Sequence, residues 1–136
     1  MRITVAIWLG LALAANGLFM LFDPAGWYAV APGVPETGPL NPHFVRDIDC
    51  AYILTGFALA RLAFNERAWR AALIGALFLT LHAPVHVDDG FSGRVHANHV
   101  LTDLVAVYAP AAVALWLVLL STPHLREAIA IMSIRP

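Results

Sequence analysis

Residues 3–22 read ITVAIWLGLALAANGLFMLF, twenty positions without one ionisable side chain. A helix of that length rises about 30 Å, the thickness of a bilayer's hydrocarbon core. Arg2 before it and Ala12-Leu13-Ala14 within it have the look of a secretory signal. The apolar run continues, however, through Gly17-Leu18-Phe19-Met20-Leu21-Phe22, so the stretch is read as a retained membrane helix.

Outward from that segment the same solvent is implied. The chain has 136 residues, 60% apolar and 12% charged, against roughly 45–50% and about 25% for soluble domains. Three further segments qualify as spans, at about residues 42–64, 69–87 and 94–120, with a tail over 122–136. Lipid offers no partner to a bare backbone N–H or C=O, so such runs must be helical. The expected fold class is all-α: one domain over 1–136, an integral membrane four-helix bundle. A net charge of -1 and the absence of a basic stretch exclude nucleic acid as a partner. Cys50, the single cysteine, has no partner for an internal disulfide and is read as a packed thiol.

Boundary signals support the spans. Asn41-Pro42 places a capping side chain before a proline at the first helical position, and Asp23-Pro24 and Asn65-Glu66 are similar starts. All the fixed positive charge is arginine. Arg2, Arg61, Arg67, Arg70, Arg126 and Arg135 fall on one side of the predicted bundle, Arg46 and Arg94 on the other. The positive-inside rule then puts both termini in the cytoplasm, with loops 23–41 and 88–93 facing out. Loop 23–41 holds Pro24, Pro32, Pro35 and Pro39 and is either an ordered lid across the bundle mouth or a solvated loop. The tail either lies on the inner surface or frays.

The ionisable residues are not spread evenly. His43, His82, His86, His96 and His99 all map to the outer half, with Asp47, Asp49, Asp88, Asp89 and Asp103. His43 and Asp47 are four apart, as are His82 and His86, while His96, His99 and Asp103 are spaced three and four apart. Each set therefore shares a helix face. Convergence of the three faces would gather imidazole and carboxylate donors suited to Zn, Fe or Cu(II). The expected metal-ligating set is His43, Asp47, His82, His86, His96, His99 and Asp103.

A plainer reading stands beside it. Polar residues at helix ends reach water and cap orphan amides, and Asp88 and Asp89 fit that role. Asp49 suits a rim ion pair with Arg46, and Pro84 between His82 and His86 is expected to distort their helix. Asp103 sits a turn inside its span, where a charge must find a partner, a proton or a cation. Asn16, Thr55 and Thr80 are read as interhelical hydrogen-bonders, and Gly10, Gly17, Gly56 and Gly75 as close-packing positions. Pro110 should kink the last helix.

The stretch Gly38-Pro39-Leu40-Asn41-Pro42-His43-Phe44-Val45-Arg46-Asp47-Ile48, followed by Ala51-Tyr52 and Gly56, resembles a segment of small bacterial four-helix membrane proteins, the DoxX-like group. The resemblance implies a bacterial inner-membrane address and a four-helix bundle. Some members of that group are linked to sulfur compounds and quinones. No functional residue of theirs matches this sequence, so none is carried over.

Three functions follow as expectations. The first is a membrane protein with a transition-metal or redox site at its periplasmic end. The second is an accessory subunit of a larger quinone- or haem-dependent complex, with bis-histidine haem ligation across the third and fourth helices. The third is a small proton-coupled carrier, working as a homo-oligomer because four helices make a thin wall. There is no nucleophile motif, glycine-rich phosphate loop or nucleotide fingerprint in the sequence, so no enzyme class is assigned.

Overall fold

The computed structural model describes residues 1–96 and 99–123, and among these every regular element is helical. Helix α1 is Arg2–Phe22 and a short α2 is Pro24–Val30. A 3-10 turn, Val34–Glu36, interrupts the loop before α3, Pro42–Phe64. A second 3-10 turn, Glu66–Ala68, leads into α4, Trp69–Phe91. The last helix is composite: α5, His99–Asp103, a π-helical turn, Leu104–Tyr108, and α6, Ala109–Leu119.

Short polar side chains set the boundaries. Asp23 ends α1 and starts α2, its Oδ1 accepting the Gly26 N–H at 2.8 Å. Asn41 Oδ1 accepts from His43 N–H and Phe44 N–H at 3.1 and 3.2 Å, with Pro42 at the first helical position. Asn65 does the same for Arg67 across the α3–α4 turn. Helix α4 begins as expected but runs to Phe91 rather than 87, passing through Pro84 as continuous helix. Residues 94–96 are not helical, and the described part of the last helix opens with His99. Its π turn sits just before Pro110, whose missing N–H frees a carbonyl one turn back, and the wider turn absorbs that mismatch.

Helices α1 and α3 pack along their whole length, and small residues are the reason. A Cβ on Gly10 would lie 2.7 Å from Gly56 O, and one on Gly56 would lie 2.5 Å from Gly10 O. Gly17 rests on the Asp49 carbonyl and Gly75 on Thr55 in the same way, so all four predicted glycine contacts are present. Helix α3 then packs on α4, and α4 on α6. The apolar core joins Leu13, Leu59, Leu62, Ala72, Ala76, Leu79, Ala114, Leu117 and Val118. Arg2 ties the ends together, with its guanidinium 2.5 Å from Glu66 and 3.3 Å from Leu120 O.

Among the described residues, three helical segments are long and apolar enough to cross a membrane: Arg2–Phe22, Glu66–Phe91 and Leu101–Leu119. Helix α3 has 23 residues but carries Arg46, Asp47, Asp49 and Arg61. Large apolar side chains such as Trp8, Phe22, Leu54, Phe57, Ile74, Leu81 and Val105 point outward, more apolar surface than a soluble monomer normally presents. From Thr122 onward the expected tail contributes only Thr122 and Pro123. His124, Arg126 and Arg135 lie outside the described residues.

Candidate functional site

Phe78, His82 and His86 recur every four residues and so share one face of α4. Tyr52 reaches across from α3. The His82 ring stacks on Phe78 at 5.9 Å between centroids and meets Tyr52 edge-on at 6.3 Å. Two aromatic rings from two helices thus fix the plane of this imidazole.

His86 links two neighbours. Its Nε2 lies 3.1 Å from His82 Nε2, and its Nδ1 lies 3.2 Å from Asp103 Oδ1 on the last helix. One pair of neutral tautomers satisfies both contacts. In that pair His86 would carry its proton on Nδ1, toward Asp103, and His82 would donate from Nε2 to His86. Asp103 is 8% exposed, at the junction of α5 and the π turn. The result is a line of close polar contacts from an acid through two imidazoles, crossing from the last helix to α4. Pro84 leaves it intact, contrary to the distortion expected there.

The other predicted ligands go elsewhere. His99 Nε2 meets Glu36 Oε1 at 2.8 Å, and Glu36 Oε2 accepts the His96 N–H at 3.1 Å. Those hydrogen bonds, the His96 backbone donor first, hold the Glu36 carboxyl below the usual glutamate range. His43 and Asp47 face each other at 3.5 Å with side chains 88% and 60% exposed, a contact water largely screens. Asp88 and Asp89 both bind Arg94 at the rim and raise its pKa, Asp89 the more. The seven residues therefore fall into three separate groups: His82, His86 and Asp103; His96 and His99; His43 and Asp47. Among the described residues no group of three or more His, Cys, Asp or Glu side chains is placed to hold one metal ion. Two donors, the Nε2 atoms of His82 and His86, do lie at a separation that a metal with bonds of about 2.0–2.1 Å can bridge.

Three assignments change with the coordinates. Asp49 makes no ion pair with Arg46, whose Nε donates to Leu21 O at 3.3 Å. Asp49 is instead 0% exposed, and neither carboxylate oxygen has a hydrogen-bond partner, while the adjacent Cys50 thiol contacts Arg46 O. Cys50 itself is exposed rather than packed. Thr80 bonds back to Ala76 O in its own helix rather than across to another. Asn16 does serve as a long-range acceptor, for Trp27 Nε1 at 3.1 Å.

Two contributors escape a reading of the sequence. Glu36 is the lone acid between α2 and α3, in a proline- and glycine-rich stretch, and nothing local says that it faces a helix sixty residues on. Tyr52 looks like one more apolar position of α3. The four-residue spacing of Phe78 with His82 was the one available signal for an aromatic support.

Comparison with the models of known families, with curated proteins and with solved structures finds no match to this chain.

Proposed function

We propose that this chain crosses the bacterial inner membrane four times as a four-helix bundle with both termini in the cytoplasm. We further propose that Asp103, His86 and His82 pass protons at its outer end, the working part of a small proton-coupled carrier. The observation that carries the second statement is the close approach of the three side chains, 3.1 Å between the two imidazoles and 3.2 Å from His86 to Asp103. Both ring nitrogens of His86 are engaged, one with an acid and one with another imidazole. An incoming proton bound at His82 Nδ1 makes an imidazolium. The Nε2 proton of His82 then passes to His86 Nε2, and the Nδ1 proton of His86 passes to Asp103. One proton has moved between helices, and each bond to hydrogen broken is matched by one formed. The reverse sequence returns it.

The topology rests on charge. Arg2, Arg61, Arg67 and Arg70 gather at the end where Arg2 meets Glu66, while Arg46 and Arg94 lie at the end where Glu36 meets His99. That split favours the first end as cytoplasmic. Helix α3 serves as the fourth span because Arg46 and Asp47 stand at its outer end, Arg61 at its inner end, and Asp49 turns into the bundle. The likeness of residues 38–48 to the DoxX-like segment supports the bacterial inner-membrane address. Alkaline phosphatase inserted in loop 23–41 should be active and a fluorescent protein at the C-terminus should glow; the opposite pair of results overturns the orientation.

Proton uptake by proteoliposomes, read with a trapped pH-sensitive dye, tests the relay. The native chain should exceed empty vesicles, and Asp103→Asn and His86→Gln should fall to their level. Variants that carry native flux would refute the reading.

A transition metal is the second reading, favoured by the 3.1 Å between the two Nε2 atoms and by Asp103 behind His86, the usual support of a metal-bound imidazole. Zn, Fe or Cu would find two protein donors there, with the remaining positions open to solvent or substrate. Stoichiometric metal in protein purified in mild detergent, lost in His82→Gln, would favour this over the relay.

A further inference from the structure

Loop 23–41 is anchored at both ends and fastened at one point in the middle. Trp27 Nε1 donates to Asn16 Oδ1 at 3.1 Å and pins α2 to α1. Tyr28 Oη donates to Gly38 O at 2.6 Å and closes the loop on itself. Asn41 then fixes the start of α3. Between these anchors, Glu36 bonds to the start of the last helix through His96 N–H and His99 Nε2, the one loop side chain to do so among the described residues.

The backbone follows the side chain. Gly33 has φ +79°, and a Cβ there would lie 3.2 Å from His99 Nδ1, so the loop lies directly against the imidazole face. That ring is itself only 16% exposed. His99 lies four residues before Asp103, on the same face of the last helix and one turn further out. The loop backbone and His99 thus stand one turn outward of Asp103, whose side chain is 12% exposed, while that of His86 beside it is 25% exposed.

We propose that loop 23–41 is a lid over the Asp103–His86–His82 line, and that Glu36 is its latch. The proposal takes the site from the relay reading, but the lid stands or falls by access alone. Lids belong to the weakly held part of a fold, opening at a cost set by few contacts. Here that cost resides mainly in two hydrogen bonds to one carboxylate. With the latch made, the line is reached slowly from the outer side; with it broken, the loop swings on its anchors at Trp27 and Asn41.

Diethylpyrocarbonate labelling of the full chain in detergent micelles, read peptide by peptide, tests this. His43, with its side chain 88% exposed, serves as the internal standard. In Glu36→Ala, His82 and His86 should label about tenfold faster than in the native chain, the effect expected for losing hydrogen bonds to a charged group. Glu36→Gln keeps one acceptor and should fall between, and it decides the matter if Glu36→Ala does not fold. Equal rates in native and variant chains overturn the lid. Equal rates together with lost proton uptake in Asp103→Asn would sink the lid and leave the relay; faster labelling with no uptake by the native chain would do the reverse.

Discussion

The two halves of the bundle are built on opposite principles. Toward the end that carries Arg2 and Glu66, proposed above as the inner one, Leu59, Ala72, Ala76, Ala114, Leu117 and Val118 are fully buried, and α1 and α3 meet backbone to backbone at Gly10 and Gly56. Toward the opposite end, proposed as the outer one, the buried positions include Asp49 and Asp103, and the contacts between elements include polar ones: Glu36 with His99, His86 with Asp103. Apolar burial drives little helix association in lipid, so close van der Waals packing must hold the inner half. The outer half trades some of that packing for titratable groups on fixed rotamers. Stability and chemistry are thus separated along the bundle axis, and substitutions should separate them too.

The largest effect is expected from breaking the inner half. Gly56→Leu forces a side chain into the Gly10 and Ala14 backbone and should cost about 3 kcal/mol, the upper part of the range for overpacking. Unfolding in mixed micelles measures it, and a change well under that would mean that the two helices do not meet as described. Asp103→Asn should give the mirror result: proton uptake lower by about a hundredfold, the lower bound of acid–base contributions, with the unfolding transition shifted little.

Asp49 sharpens the comparison by crossing it. Its carboxyl is buried without a partner, a loss of hydrogen bonding that ordinarily costs about 1–3 kcal/mol. Asp49→Leu should therefore raise stability by about 1 kcal/mol. If the chain is instead weakened, Asp49 has a stabilising role that its surroundings do not reveal.

The smallest effect concerns pH. Glu36 has a folded-state pKa below its unfolded value, so its contribution is complete above the ordinary glutamate range and disappears as pH falls through the lowered value. Amide exchange in loop 23–41 should stay slow from neutral pH down through that range and rise only below it. Glu36→Gln should abolish the dependence.

Much of this architecture can be read from residues alone. The twenty uncharged positions of α1, the Asn41-Pro42 start of α3 and the glycines at Gly10, Gly17, Gly56 and Gly75 each carry a local physical reason for what they do. The polar layer at one end was legible from spacing, because i, i+4 pairs share a face whatever else happens. Which faces meet was not. Helix rotation and loop course decide whether His99 turns to Asp103 or to Glu36, and neither is encoded within a few residues. The seven-residue centre therefore divides, with His86 taking Asp103 while His96 and His99 take a loop acid. Asp49 shows the same limit, since three residues from Arg46 is close enough for a pair, but rotation of α3 points it inward.

Nitrogen-15 NMR of histidine-labelled chain in bilayers tests the central claim most directly. The account predicts one imidazole, His86, with a protonated Nδ1 and an accepting Nε2, and predicts that Asp103→Asn shifts His86 and, through it, His82, while His43 stays unmoved. If His86 resonates as a free imidazole and ignores Asp103→Asn, there is no proton line between the helices.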